Sequence, residues 1–381
     1  MVSRAIFRSY SEEEEQLAHE GMEDDSMFMI KPTTTNSTSE IDKKAFINFL
    51  RGLAIFLMLW GHCIQYCCGR QFDFFQNTAF KIIYSFHMPL FMLISGYLFF
   101  FSAEKRELEE LVEYKTKSLL YPILTCSILN LFLSTGIVSI IGWGGYTSLL
   151  DSIPLKSLWF LWSVLACSIS MSFTVKQVNP VVQSILILVG FCIVALFPNC
   201  GMNVYMYPYF VIGYFGAKHE NRMEKASPII GLTCTLSFIG MMFFFEKKHY
   251  IYTTGLLGGE TRLDSIGIDF FRWAVGLSGS ISVIWISRLI YPRIRKHTPL
   301  AEQLGQNSLA VYVLSVSLLS FWLPRLANSL LNALPWIVWN DYILLYNYVV
   351  TPIIALAYSF LLLWIIGVIK KWNIYRLIFG R

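Results

Sequence analysis

The stretch AFINFLRGLAIFLMLWGHCIQY, residues 45–66, decides how the rest of the chain is read. It is long and apolar enough to cross a bilayer as a helix, which takes about 20 residues. Two of its residues resist that setting: Arg51 near the start and His62 near the end. A charged side chain at the centre of a membrane helix costs ~2.5–3.5 kcal/mol on insertion scales, so it is kept for a partner or a role. At about 100° and 1.5 Å per residue, the two side chains project within about 20° of each other and lie about 16 Å apart along the axis. One helix face thus carries a guanidinium near one membrane surface and an imidazole well inside. Taken singly, Arg51 also reads as a snorkelling anchor, and His62 as a hydrogen bond to a neighbouring helix. Their shared face points to a site.

The surrounding chain fits this reading. Of 381 residues, 55% are hydrophobic, 16% aromatic and only 14% charged, which overrules the two or three soluble domains that length alone suggests. Apolar segments follow one another near 46–67, 79–102, 119–141, 157–175, 180–197, 205–217, 228–245, 268–290, 307–323 and 348–369. The expected fold is all-α: a polytopic transmembrane helix bundle of about ten helices. With the N-terminus inside, the inner loops hold roughly twice as many Lys and Arg as the outer ones, which places both termini in the cytoplasm. The net charge of +5 belongs mainly to that inner face and does not indicate nucleic-acid binding. Most of the eight cysteines lie inside apolar runs as small hydrophobes. Cys67, Cys68 and Cys200 fall near outer helix ends, where a disulfide is one reading; no metal-binding spacing occurs.

Residues 11–25, SEEEEQLAHEGMEDD, are acidic, and KPTTTNSTS at 31–39 reads as a linker. Residues 1–44 are therefore expected as a disordered cytoplasmic tail rather than a signal peptide. A membrane domain spans 45–370, and residues 371–381 form a short cytoplasmic C-terminal tail.

The second apolar segment contains SFHMPLFMLISGYLF, residues 85–99. It runs antiparallel to the first, so His87 comes level with His62 to within about a turn. Pro89 removes a backbone donor and loosens the helix beside it, either to make room for a substrate or as an ordinary membrane proline. Together, RGLAIFLMLWGH at 51–62 and this second string resemble the acyltransferase-3 family of integral-membrane acyltransferases, in which an Arg or Lys, ten residues and a His mark the first helix. The resemblance implies transfer of an acyl group, usually acetyl from acetyl-CoA, to a sugar hydroxyl of a cell-surface glycan or its lipid-linked precursor. The setting it implies is the bacterial cytoplasmic membrane, with membrane lipids as surroundings.

Other strings extend the resemblance. Basic residues before a proline, here Lys115, Lys117 and Pro122, match the family outline for holding the donor, although lysines stand where many members have paired arginines. They read more simply as positive-inside anchors, on an amphipathic helix at the inner surface spanning 102–122. SLWFLWSVLACS at 157–168 resembles a Trp-containing family segment, with Trp159 an interfacial anchor or a sugar-stacking platform. LGQNSLAVYVLSVSL at 304–318 supplies Asn307 and Tyr312, while Ser315 stands where many relatives carry a His. The polar segment 246–272 is the longest outer loop. Its Asp264 and Asp269 are suited to binding acceptor hydroxyls.

The chemistry implied is direct acyl transfer. His62 serves as general base because an imidazole titrates near neutrality. His87 orients it or donates to the thioester carbonyl, and Arg51, Lys115 and Lys117 hold the acyl-CoA phosphates. No nucleophile-elbow pattern marks a covalent intermediate, and no metal is expected. The about 16 Å between Arg51 and His62 is comparable to an extended pantetheine arm. A transporter or flippase for a glycan precursor is the alternative, since it too places polar residues in membrane helices. Transporters commonly show internal repeats, and no second half matches the Arg51–His62 helix.

Overall fold

The computed structural model describes residues 34–67, 74–141, 158–198, 200–251, 253, 263–321, 346–372 and 374–379. Among them every regular element is helical. Numbered along the described chain, the helices are α1 Thr34–Cys67, α2 Thr78–Glu104, α3 Leu108–Ile141, α4 Trp159–Val175, α5 Pro180–Ala195 and α6 Cys200–Lys218. They continue as α7 Glu220–Met242, α8 Leu263–Ile294, α9 Pro299–Gln306, α10 Ser308–Phe321, α11 Thr351–Lys371 and α12 Ile374–Phe379. The chain divides into two units, Met1–Ala45 and Phe46–Arg381; all that follows concerns the second. Five of the described helices are long and apolar enough to cross a membrane: Asp42–Tyr66, Thr78–Glu104, Glu220–Met242, Ser265–His297 and Tyr348–Lys371. α4 and α5 are shorter apolar helices.

Local chemistry sets the helix ends. Asn77 caps α2, its side chain accepting from the Phe80 amide at 3.0 Å. Pro180 occupies the first position of α5, where its missing N–H costs nothing. Glu109 and Glu110 lie in the first turn of α3, where negative charge suits the helix dipole. α3 then runs unbroken through Pro122 to Ile141. The segment expected as a separate surface helix over 102–122 is instead largely the first half of this longer helix. An amphipathic turn that leads directly into an apolar run has no reason to stop, because helix propagation is favourable once begun.

α2 is the central element. Of its most apolar window 72% is buried against protein, compared with 6% for α7. It packs most extensively on α6 and α8. The α2–α6 contact is backbone against backbone: a Cβ at Gly96 would collide with the Phe210 carbonyl, and one at Gly213 with the Leu93 carbonyl. Small residues let membrane helices approach in this way. α1 meets α9 by the same means, since Gly52 lies against the Ala301 carbonyl and Gly305 against that of Asn48. Gly213→Leu should therefore wedge α6 from α2 and destabilise the bundle by ~1–3 kcal/mol or more, read as a lower melting temperature in detergent. The exposed Gly240, whose Cβ would meet nothing within 4 Å, should tolerate the same change.

Pro89 sits inside α2 against α8, where a Cβ at Gly276 would lie 2.8 Å from its ring. The proline loosens the carbonyls of the preceding turn. The hydroxyl of Ser280 on α8 donates to the Gly276 carbonyl of its own helix at 2.6 Å and lies 3.2 Å from one of them, that of Phe86.

Candidate active site

A cavity of about 400 Å³ opens at the end of the bundle where α1 finishes and α2 begins. Its lining includes His62, His87, Trp159 and Tyr312, so four residues singled out in the sequence meet in one space. Gln65, Tyr66, Phe80 and Tyr84 supply further walls, and Phe74, Phe75, Tyr250 and Ile251 close it from the connecting segments.

The two imidazoles are joined through Tyr84. Its hydroxyl lies 3.1 Å from Nδ1 of His62 and donates to Oε1 of Gln65 at 3.2 Å. Its ring packs on that of His87, with centroids 4.8 Å apart, and stacks on Phe80 at 3.8 Å. His62 in turn stacks on Tyr66 at 5.7 Å. His87 is buried, and its Nδ1 lies 2.8 Å from the Ile83 carbonyl. A carbonyl can only accept, so Nδ1 carries the proton and Nε2 of the neutral ring is an acceptor. The expectation that His87 donates to a thioester carbonyl thus requires an imidazolium; the neutral ring offers only an acceptor.

Trp159 begins α4 and packs edge-on against Phe160, with centroids 5.9 Å apart; Phe160 packs likewise on Tyr312 at 5.8 Å. Trp159 is therefore a wall of the cavity and not only an interfacial side chain. Ser315 is buried and donates to the Tyr312 carbonyl at 2.8 Å, away from the lining.

Arg51 lies outside the cavity, where its Nη2 donates to Ser308 Oγ at 2.6 Å. Ser308, Tyr312 and Val316 succeed one another by four residues along α10, and the last two line the cavity. On α1, Met58 stands between Arg51 and His62 on the same face and also lines the cavity. The Arg51–His62 face of α1 thus looks onto the Ser308–Val316 face of α10.

Comparison with known proteins identifies the family. Residues 44–371 match the acyltransferase-3 model, described as an acyltransferase domain. The chain belongs to the acyltransferase-3 family. The chain is similar to nodulation protein NolL of Sinorhizobium fredii, with 30% identity over 70% of this chain and 75% of that protein. NolL of Mesorhizobium japonicum is 25% identical over 70% of this chain and 74% of its own. No solved structure matches. The protein is a multi-pass membrane O-acyltransferase.

The remaining expected site residues of this acyltransferase lie elsewhere. Lys115 donates to Ser102 Oγ at 3.1 Å and sits 5.4 Å from the Phe99 ring, tying α3 to α2. Lys117 is exposed and paired with Glu113 one turn earlier. Asn307 accepts from Lys370 Nζ at 3.0 Å. Asp269 pairs at 2.8 Å with Arg272, whose guanidinium is buried and also donates to the Lys248 and His249 carbonyls. The Asp269–Arg272 pair therefore anchors the segment that delivers Tyr250 and Ile251 to the cavity. The side chain of Asp264 lies outside the described residues. Cys200 is a free thiol, and Cys67 and Cys68 have no described side chains. Among the described residues no cluster could hold a metal ion.

Tyr84, Gln65 and Tyr250 were not marked by the sequence reading. Tyr84 and Gln65 nevertheless carried a signal: each lies three residues from a marked histidine, on the same helix face.

Proposed function

We propose that this enzyme moves an acyl group, acetyl by preference, from acyl-CoA to a sugar hydroxyl of a cell-surface glycan or its lipid-linked precursor. In this reading the bundle crosses the bacterial cytoplasmic membrane ten times, with both termini in the cytoplasm, and residues 1–44 are a cytoplasmic tail. The observation that carries the proposal is that one aromatic-walled cavity of about 400 Å³ is lined by both His62 and His87. Its size suits a sugar ring, and its aromatic walls offer faces on which such a ring can stack.

The chemistry divides among the residues present. Nε2 of neutral His62 takes the proton of the acceptor hydroxyl as its oxygen attacks the thioester carbonyl. The resulting imidazolium returns that proton to the departing CoA thiolate. His87, with its unprotonated Nε2, accepts from a sugar hydroxyl and orients the acceptor. The donor's phosphates lie toward Arg51, and its arm follows the α1–α10 seam past Met58 to the cavity. Lys115 and Lys117 contribute only positive potential to the phosphate end in this account.

Arg51→Ala should raise the KM for acyl-CoA about 10- to 100-fold, as expected for a hydrogen bond to a charged group worth ~1.5–3 kcal/mol, with little change in kcat. Arg51→Lys should be partly tolerated. Loss of membrane insertion in Arg51→Ala would support the anchor reading instead. The proposal as a whole is tested by the O-acetyl content of surface glycan in cells with and without the protein. Equal content in the two would overturn it.

A further inference from the structure

Base catalysis at Nε2 of His62 requires that Nε2, rather than Nδ1, be the unprotonated nitrogen. Among the described residues His62 makes no hydrogen bond to a backbone carbonyl comparable to that of His87; its Nδ1 lies 3.1 Å from the Tyr84 hydroxyl, and Gln65 also bonds to the His62 side chain. A phenol has one proton. The same hydroxyl lies 3.2 Å from Gln65 Oε1, an amide oxygen that can only accept. If that proton goes to Gln65, the phenolic oxygen presents a lone pair to His62, and Nδ1 must carry hydrogen. Nε2 is then the basic nitrogen.

Tyr84 is held in this position from three sides. Its ring stacks on Phe80 at 3.8 Å and contacts His87 at 4.8 Å. Against α1 it fills a notch at Gly61, where a Cβ would fall 2.5 Å from its Cε2. The glycine immediately before His62 therefore has a spatial reason: any larger residue pushes away the ring that holds the histidine.

We propose that Tyr84, seated at Gly61 and fixed by Gln65, is a positioning residue that sets the tautomer and orientation of His62. This rests on His62 acting as the base. Tyr84 also walls the cavity, and in this proposal its effect on the reaction is exerted through the His62 ring.

The test uses the full chain in liposomes with acetyl-CoA and lipid-linked oligosaccharide as acceptor, and measures kcat, KM and pH–rate profiles. Tyr84→Phe keeps the ring and removes the hydroxyl. It should lower kcat about 10- to 100-fold, the range found when the hydrogen-bond partner of a metal-binding histidine is removed, and leave the KM for acetyl-CoA unchanged. It should also displace the ionisation seen in the wild-type pH–rate profile. Gln65→Leu and Gly61→Ala should reproduce the kcat loss. In a His62→Gln background, Tyr84→Phe should cost nothing further, because a residue acting through His62 has nothing left to act on. Tyr84→Phe turnover within twofold of wild type, with His62→Gln inactive, would overturn this proposal alone. So would a Tyr84→Phe loss of equal size in both backgrounds or an unmoved pH profile, each of which marks a structural role. His62→Gln with near wild-type turnover would overturn the base assignment itself and this proposal with it.

Discussion

His62→Gln should lower acyl transfer by ~10²–10⁴-fold, the range typical of losing a general base, while leaving membrane levels and acyl-CoA binding near those of wild type. Glutamine retains hydrogen-bonding atoms close to those of the imidazole, so the wall of the cavity and a contact with Tyr84 are preserved and only the basic nitrogen is removed. The rate loss should therefore appear in kcat. His87→Ala should be milder, because His87 orients the acceptor rather than taking the proton. A His62→Gln variant that kept more than about a tenth of wild-type turnover, above the range for base loss, would transfer the base role to His87. Its Nδ1–H bond to the Ile83 carbonyl already leaves Nε2 free to accept.

The second large effect is expected at Arg272. Its guanidinium donates to Asp269 and to the carbonyls of Lys248 and His249, at 2.7–3.0 Å. Arg272→Met fills similar space but leaves a mostly buried carboxylate and two carbonyls without that partner. Breaking a buried pair by removing one member costs ~3–5 kcal/mol. A thermal-shift measurement should show clear destabilisation. Transfer should fall as well, because the freed segment delivers Tyr250 and Ile251 to the cavity. Asp269→Asn added to Arg272→Met should recover part of the lost stability by neutralising the carboxylate that has lost Arg272. If Arg272→Met melted like the wild type, the pair would not anchor that segment.

The limits of the sequence reading follow from these residues. Apolar runs betray helices directly, so the all-helical bundle was legible, and helical geometry alone put Arg51 and His62 on one face. The cavity's two histidines were legible because antiparallel neighbours bring positions equidistant from a turn to the same depth. Trp159 and Tyr312 came from resemblance to a family, not from spacing. What escaped the reading depends on register between helices. Nothing local states that Tyr84 faces His62 rather than lipid, although its place one turn before His87 allowed it. The charge of Asp269 suits a sugar hydroxyl, and the sequence alone does not show that Arg272, three residues on, is paired with it. Lys115 was read by its charge, whereas its reach to Ser102 is a matter of how closely α3 lies on α2.

The most direct test of the account is transfer of label from [¹⁴C]acetyl-CoA by the purified enzyme in liposomes carrying lipid-linked oligosaccharide. The account predicts base-labile label on the sugar, formed by the wild type and lost in His62→Gln. Absence of labelled glycan with the wild type, or equal labelling by His62→Gln, would contradict it.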